Sequence, residues 1–338
     1  MFSIAAAYAG YRLFWQPQTP ATQQAIEVLV PKGSGISQIA SILEKNGVVR
    51  NASALAMAAR LSGYDRQLQA GKFSIPAGKS NLDILRLLRS GQQVHRKITV
   101  PEGLTARQVA SLLASEVDLD SAKFMQSIND STIAQQLGVP AKRLEGYLFP
   151  ETYNLPYGMT EKEIITVMVQ QFNSQRPNSF NQKAKQIGLS AQQVITLASI
   201  IEGEAMIDSE RTVISAVYHN RLRKGMRLQA DPTIQYIIPD GPRRLLNADL
   251  TIDSPYNTYK YAGLPPGPIN NPGKKSIEAA LSPANVPYLY MVARGDGSHV
   301  FSRTLAEHNR AHQAFNRYRR EVARQKKNQS RGGADANK

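Results

Sequence analysis

Val28-Leu-Val-Pro-Lys-Gly33, Phe73-Ser-Ile-Pro-Ala-Gly78 and Ile98-Thr-Val-Pro-Glu-Gly103 are three versions of one phrase. In each, a short apolar run suited to a strand meets proline, which cannot donate to a sheet ladder and ends the strand. Two residues on, glycine permits the turn, and a Ser or Thr shortly afterwards can cap a helix. The next stretch is amphipathic each time: Ile36 to Leu43, Leu82 to Leu88 and Ala106 to Leu113. This is an internal strand-turn-helix repeat. Short strands alternating with short helices predict an α+β chain, an N-terminal strand-turn-helix module followed by a mixed α/β region.

Further along, residues 104 to 185 read as mainly helical, broken at Leu148-Phe-Pro-Glu-Thr-Tyr153. A helix is then predicted from Ser190, whose hydroxyl can cap the free amides of its first turn. Val194, Leu197, Ile200 and Ile201 make its apolar stripe. Glu204 lies three, four and seven residues after Ile201, Ile200 and Leu197, so in a continuing helix it shares their face. Glu202 is turned from that face by about 160° at roughly 100° per residue. A carboxyl held against apolar side chains loses hydration, which raises its pKa and suits it to act as a general acid. Position alone equally allows both glutamates to be solvated at a helix end.

A second helix is predicted from about Glu210 to Lys224, capped by Asp208 or Ser209 and closed by Gly225. The polar segment with Gln229, Asp231 and Thr233 comes next, and then the Pro- and Gly-rich run from Tyr256 to Ile269; both read as irregular. Half of the fourteen tyrosines fall between Tyr218 and Tyr290. Aromatic faces with amide and hydroxyl neighbours suit sugar rings, although ordinary tyrosine packing accounts for any one of them. Short strands are expected at Tyr288 to Val292 and His299 to Phe301.

These residues resemble a known family. Leu197-Ala-Ser-Ile-Ile-Glu-Gly-Glu204, Asn220-Arg-Leu, Gly225-Met-Arg-Leu-Gln-Ala-Asp-Pro-Thr233, Tyr256-Asn-Thr-Tyr259 and Gly263-Leu-Pro-Pro-Gly267 closely resemble the bacterial endolytic murein transglycosylases, the YceG-like family. Glu145-Gly-Tyr-Leu-Phe-Pro-Glu-Thr-Tyr153, Pro287-Tyr-Leu-Tyr-Met-Val-Ala293 and His299-Val-Phe extend the match, which spans roughly residues 26 to 320 in the family's order. The resemblance implies a lyase, without cofactor or metal, that cuts the MurNAc-GlcNAc bond inside peptidoglycan glycan strands. It leaves 1,6-anhydroMurNAc ends and terminates nascent strand elongation beside penicillin-binding proteins or other wall synthases.

The same resemblance places the essential acid on Glu204, the residue that the helical face selects independently. Asn220, Gln229, Asp231, Thr233 and Tyr259, all in matching runs, become candidate substrate-binding residues, though turn-building explains Asp-Pro-Thr as well. Position 203 is glycine where a helix-compatible residue such as lysine is expected. Glycine costs about 1 kcal/mol in a helix relative to alanine, so the helix is expected to end early, with Glu204 on a turn. Most glycosidases need two carboxylates. A lytic transglycosylase can use one, because the sugar's own C6 hydroxyl is the nucleophile. Asp208, Glu210 and Asp231 are the candidates for a second, which would favour a lysozyme-like hydrolase.

The chain divides into five segments: a truncated or short N-terminal membrane anchor at 1–16, a linker at 17–25, a LysM-like module at 26–96, a YceG-like catalytic domain at 97–322 and a disordered basic tail at 323–338. The LysM-like label comes from the resemblance; by sequence alone the module is as readily a packing scaffold. Residues 2 to 15 are apolar apart from Ser3 and Arg12, shorter than the roughly 20 residues of a span. Family members carry a single-pass anchor, so the expected place is the inner (cytoplasmic) membrane, with the catalytic domain on the periplasmic or outer side.

The chain has 338 residues, no cysteine and a net charge of +15. Disulfides and thiolate metal sites are excluded. An acidic partner is called for, and anionic lipid headgroups or wall polymers serve as well as nucleic acid. No P-loop, Rossmann or zinc motif occurs, and His308 and His312 read as solvated helix residues. A non-catalytic wall-binding module or a nucleic-acid binder leaves the motif series around Glu204 unexplained, so peptidoglycan is the expected partner and nucleic acid is not.

Overall fold

A computed structural model of the chain describes residues 2–20, 24–117, 119–239, 241–317 and 320. The tail expected to be disordered at 323–338 lies outside the described residues. In chain order the first elements are α1 (Phe2–Phe14), β1 (Ile26–Val30), α2 (Ile36–Lys45), α3 (Ala52–Leu61), β2 (Gly71–Ile75), α4 (Asn81–Ser90), β3 (His95–Thr99) and α5 (Ala106–Glu116). Next come α6 (Ser121–Ile128), α7 (Ser131–Gln136), β4 (Thr152–Pro156), α8 (Glu161–Gln175) and α9 (Phe180–Gln186). The remainder holds α10 (Ala191–Glu204), α11 (Arg211–Arg223), α12 (Asp231–Ile237), α13 (Lys274–Leu281), β5 (Tyr290–Ala293) and β6 (His299–Ser302). The architecture is mixed α and β, with the strands paired two by two and antiparallel.

Two compact units divide the chain. One comprises Met1–Thr99, Leu113–Leu119 and Thr152–Thr160. In it β1 pairs with β2, Val28 opposite Phe73 and Val30 opposite Gly71. The period of two sends Val28, Val30, Phe73 and Ile75 inward, onto Leu43, Leu55, Ile84 and Leu85 from the helices. All three strand-turn-helix phrases form as the sequence predicts. Gly33, Gly78 and Gly103 occupy the same left-handed turn, at φ 79°, 73° and 79°, where a side chain would be strained. Ser80 caps α4 in a reciprocal box with Asp83, and Thr105 and Gln108 make the same exchange before α5.

The expected membrane-spanning anchor is not found among the described residues. The α1 helix has 13 residues, and among the described residues no helix is long and apolar enough to cross a membrane. Its apolar end is used elsewhere: Leu13 and Phe14 pack against the core around Val28 and Leu43. The Asn81 amide donates to the Leu13 carbonyl at 2.8 Å. A single-pass inner-membrane protein is therefore not supported.

The other unit comprises Val100–Leu112, Asp120–Glu151 and Glu161–Lys338, and α10 runs through its centre. Every residue from Val194 to Ile201 is buried, so the helix is covered all round and not along one stripe. Ser190 caps it in a reciprocal box with Gln193. Contrary to the early end expected at Gly203, the helix continues to Glu204. The reason is packing: a Cβ at 203 would stand 2.7 Å from Pro232 Cβ, so the bare glycine is where α12 seats against α10. Residues 231–237, read as irregular, form that helix, with Pro232 in its first turn, where a missing N–H costs nothing.

The loop from Tyr256 to Asn271 is irregular, as expected, and pinned by polar side chains. Ser199 Oγ accepts from the Ile269 amide at 3.0 Å, and Asn270 donates to the Ser199 carbonyl at 2.9 Å. Buried Asn271 accepts from the amides of Gly146 and Leu148, both at 2.9 Å, and donates to the Leu104 carbonyl. One asparagine thus ties three distant segments together.

Candidate active site

Glu204, the last residue of α10, opens onto a cleft of roughly 1190 Å³ within this second unit. Asp231, Pro232, Asn270, Glu145, Tyr236 and His299 line it with Glu204. Glu204 keeps 18% of its side chain exposed and is held lightly. Tyr218 of α11 donates to its Oε2 at 3.3 Å, and the Nε2 of His299 stands 3.7 Å from Oε1. Burial, joined by the Glu204 charge, pushes the Tyr218 phenol far above its usual range, so it remains a donor.

Glu202, two residues earlier, has the opposite surroundings. Its side chain is 6% exposed, takes Arg211 Nη1 at 3.1 Å on Oε1 and accepts the Gly273 amide at 2.9 Å on Oε2. Both oxygens are occupied, and the pair ties α10 to the starts of α11 and α13. The predicted rotation between the two glutamates thus separates a structural carboxylate from one that faces the cleft.

The three candidates for a second carboxylate go to three environments. Asp208 binds Arg211 Nε at 3.0 Å and also Lys275; Lys275 first and Arg211 next hold it below the carboxylate range. It lies in the short turn before α11 and gives no cap hydrogen bond; the helix is entered through Glu210 instead. Glu210 faces His299. Asp231 alone of the three lines the cleft with Glu204. Its Oδ1 accepts from the Tyr259 hydroxyl at 2.5 Å, and burial, with Glu204 nearby, raises its pKa against that hydrogen bond.

The other sequence candidates divide. Tyr259 is half-buried and reaches the cleft through Asp231. Asn220 is buried, its amide spent on the carbonyls of Val286 and Tyr288 at 2.9 and 2.8 Å. Thr233 is wholly buried, donating to the Ala230 carbonyl and meeting the Thr258 hydroxyl. Gln229 is exposed, holds a left-handed φ of 49° and donates its backbone amide to the Thr258 carbonyl. These three hold backbone segments and are not among the residues that line the cleft. His308 lies against the Tyr290 ring, centroids 5.3 Å apart, and among the described residues no group of three acidic or histidine side chains could hold a metal ion.

Glu145 is a cleft residue that the sequence presents only as part of a motif. It is buried and accepts the Ala106 amide at 2.8 Å and the Asn271 amide at 3.3 Å. Burial raises its pKa to about 7 in spite of these donors. His299 likewise stands in a matching run, but no local spacing links it to Glu204. The signal for both is tertiary.

This fold is that of an established family. The YceG-like family model matches residues 28–314, and the chain belongs to that family. An endolytic murein transglycosylase of Bacillus subtilis is 37% identical over 328 residues, covering 92% of this chain and 91% of its own. One from Streptococcus pneumoniae serotype 2 is 28% identical over 341 residues, 90% of this chain and 62% of its own longer one. The crystal structure of the yceG-like protein lmo1499 from Listeria monocytogenes superposes with a TM-score of 0.59 at 34% identity, covering 85% of this chain and 98% of that one.

Proposed function

We propose that this chain is an endolytic peptidoglycan lytic transglycosylase, a lyase cutting the MurNAc-GlcNAc bond within glycan strands, with Glu204 as its single acid and base. The observation that carries the reading is the contrast within one helix turn: Glu202 has both oxygens occupied, while Glu204 faces a cleft large enough for several sugar rings. Family membership and the relatives' shared name, endolytic murein transglycosylase, support it. In the first step Glu204 protonates the leaving O4 as the C1–O4 bond breaks. In the second its carboxylate accepts the proton of the C6 hydroxyl as O6 bonds to C1, closing the anhydro ring. No water enters, so no second catalytic carboxylate is required. Asp231, oriented by Tyr259, is the substrate-facing polar group beside it.

The finer parts of the reading are proposals too. The strand-turn-helix unit at 26–96 is a LysM-like glycan-binding module, ahead of a catalytic domain at 97–322, and the reaction ends nascent strands beside wall synthases. The repeated turns at Gly33 and Gly78 and the resemblance of the sequence support the module. The test is mass spectrometry of intact strands after incubation with the full chain and with Glu204→Gln. Internal fragments ending in anhydroMurNAc, absent with the variant, are expected. Reducing ends one water heavier would replace the lyase with a hydrolase and bring Asp231 forward; strands bound but uncut would leave only a wall-binding protein.

A further inference from the structure

We propose that His299, clamped by Glu210, is a positioning residue that shares one proton with Glu204, holding it for the leaving oxygen and receiving it back from the attacking hydroxyl. This deepens the transglycosylase reading and rests on it. The geometry begins at the β5–β6 hairpin, whose second strand opens with His299. One carboxylate grips that residue twice: Glu210 Oε1 accepts the His299 backbone amide at 3.0 Å, and Oε2 pairs with Nδ1 at 2.7 Å. The double contact fixes the ring's rotation and calls for a hydrogen on Nδ1. Nε2 is then the nitrogen free to gain or lose a proton. It points at Glu204 Oε1 from 3.7 Å, and a shift of about 0.5–1 Å brings the two within hydrogen-bond range.

The other groups facing this pair do not do the same work. Tyr218, on Glu204 Oε2, is held as a neutral phenol by burial. Arg221 of α11 gives Nε to the Leu289 carbonyl at 2.6 Å and Nη1 to the Leu228 carbonyl at 2.5 Å, with its guanidinium over the Tyr290 ring. Asp231 of α12 is bound by Tyr259, whose phenol burial also raises beyond the physiological range. His299 has a side chain only 7% exposed. The Glu204 carboxylate first, and that of Glu210 with it, hold the imidazole above the usual histidine range, against burial, which acts the other way.

The proton balance closes without another reactant. As C1–O4 breaks, its electron pair leaves on O4, which takes a proton from Glu204 while Nε2 supplies its own to that carboxylate. As O6 bonds to C1, the hydroxyl proton passes to Glu204 and back to Nε2. One proton is lent and one returned.

The test uses the full chain in two independent readouts. By NMR, the five histidines are titrated and His299 is assigned by the signal missing from His299→Gln. Its pKa is expected above the ordinary value and to fall by roughly one unit in Glu204→Gln and in Glu210→Gln, as loss of a close opposite charge requires. In strand cleavage, Glu210→Gln is expected to move the alkaline limb of kcat to lower pH by roughly the same amount with KM unchanged, and Glu210→Asp to restore part of it. His299→Gln is expected to lower kcat about 10- to 100-fold and to remove that limb. A His299 pKa that ignores both carboxylates, or variants that scale kcat down without moving the limb, would overturn the proposal. Glu204→Gln, at the open edge of the cleft, keeps the NMR arm decisive if Glu210 variants fold poorly. Reducing-end products from wild type would sink the lyase reading while the titration still decides whether the pair shares a proton.

Discussion

At Glu145, burial and hydrogen bonding pull in opposite directions, and burial wins, raising its pKa from 4.5 to about 7. A carboxyl whose folded pKa is raised favours the folded state most below its unfolded pKa, and that contribution is lost as pH rises through the folded value. The affected window is therefore pH 4.5 to about 7. Glu145→Gln keeps the size and the oxygen that accepts from Ala106 and Asn271 but cannot ionise. Relative to the variant, wild type is expected to lose up to about 3 kcal/mol between pH 4.5 and pH 8, read as chemical denaturation midpoints. Parallel curves would show that Glu145 does not titrate in its buried place. Gly203 offers a second test, because helix propensity and packing oppose each other there. Alanine gains about 1 kcal/mol as a helix former, yet its Cβ would meet Pro232 Cβ at 2.7 Å, a ring atom that cannot swing aside. Gly203→Ala is expected to be net destabilising by about 1–3 kcal/mol. It should also slow cleavage roughly tenfold, because Pro232 moves with Asp231 in the cleft. Faster or unchanged cleavage in a stabilised variant would mean that α12 has room to spare.

The buried Arg211 joins three elements, taking Glu202 from α10, Ser276 from α13 and Asp208 from the turn before its own helix. Arg211→Met strands the Glu202 carboxylate in a site where 6% of its side chain is exposed. The expected cost is about 3–5 kcal/mol, much of it recovered by adding Glu202→Gln, since the penalty is mainly that of an unpaired buried charge. Urea midpoints of the two single variants and the double decide it; additive losses would show that packing, not charge, is what Arg211 supplies. Elements of this kind were unevenly legible. The Pro-x-Gly turns and the Ser190 cap act within a few residues, so the sequence announces β1, β2, β3 and the start of α10. The break expected at Leu148 to Tyr153 runs into β4, but the strand itself is not foreseen, because its partner β3 lies some fifty residues earlier and only that pairing makes Thr152–Pro156 a strand. The α12 helix is not foreseen because Asp-Pro-Thr serves a turn and a helix start alike, and the choice is made by direct packing of Pro232 on Gly203 of α10.

Over the whole molecule, the position of Glu204 was readable from helical period and family likeness, whereas its surroundings were not. Tyr218 and His299 reach it from two separate elements, and no spacing in the chain encodes their meeting. Net charge is the opposite case, legible at once from the sequence and independent of fold. A chain of +15 approaching a strand that bears carboxylates is steered by its field, an effect screened beyond about 10 Å at 0.1 M salt. In the mechanism we propose, the bond-breaking step depends instead on Glu204 and neighbours at 3.3 and 3.7 Å in a partly buried cleft, where salt screens little. Raising salt from about 0.05 to about 0.3 M should therefore lower kcat/KM several-fold on strands with acidic stem peptides and leave kcat nearly constant. On strands stripped of their peptides by an amidase, which leaves one lactyl carboxylate on each MurNAc, the salt effect on kcat/KM should shrink with the net negative charge removed. A fall in kcat itself would place the salt-sensitive charges at the reacting bond. An equal salt effect on stripped and intact strands would make the stem peptides irrelevant to the encounter and leave the basic surface to some other anionic component of the wall.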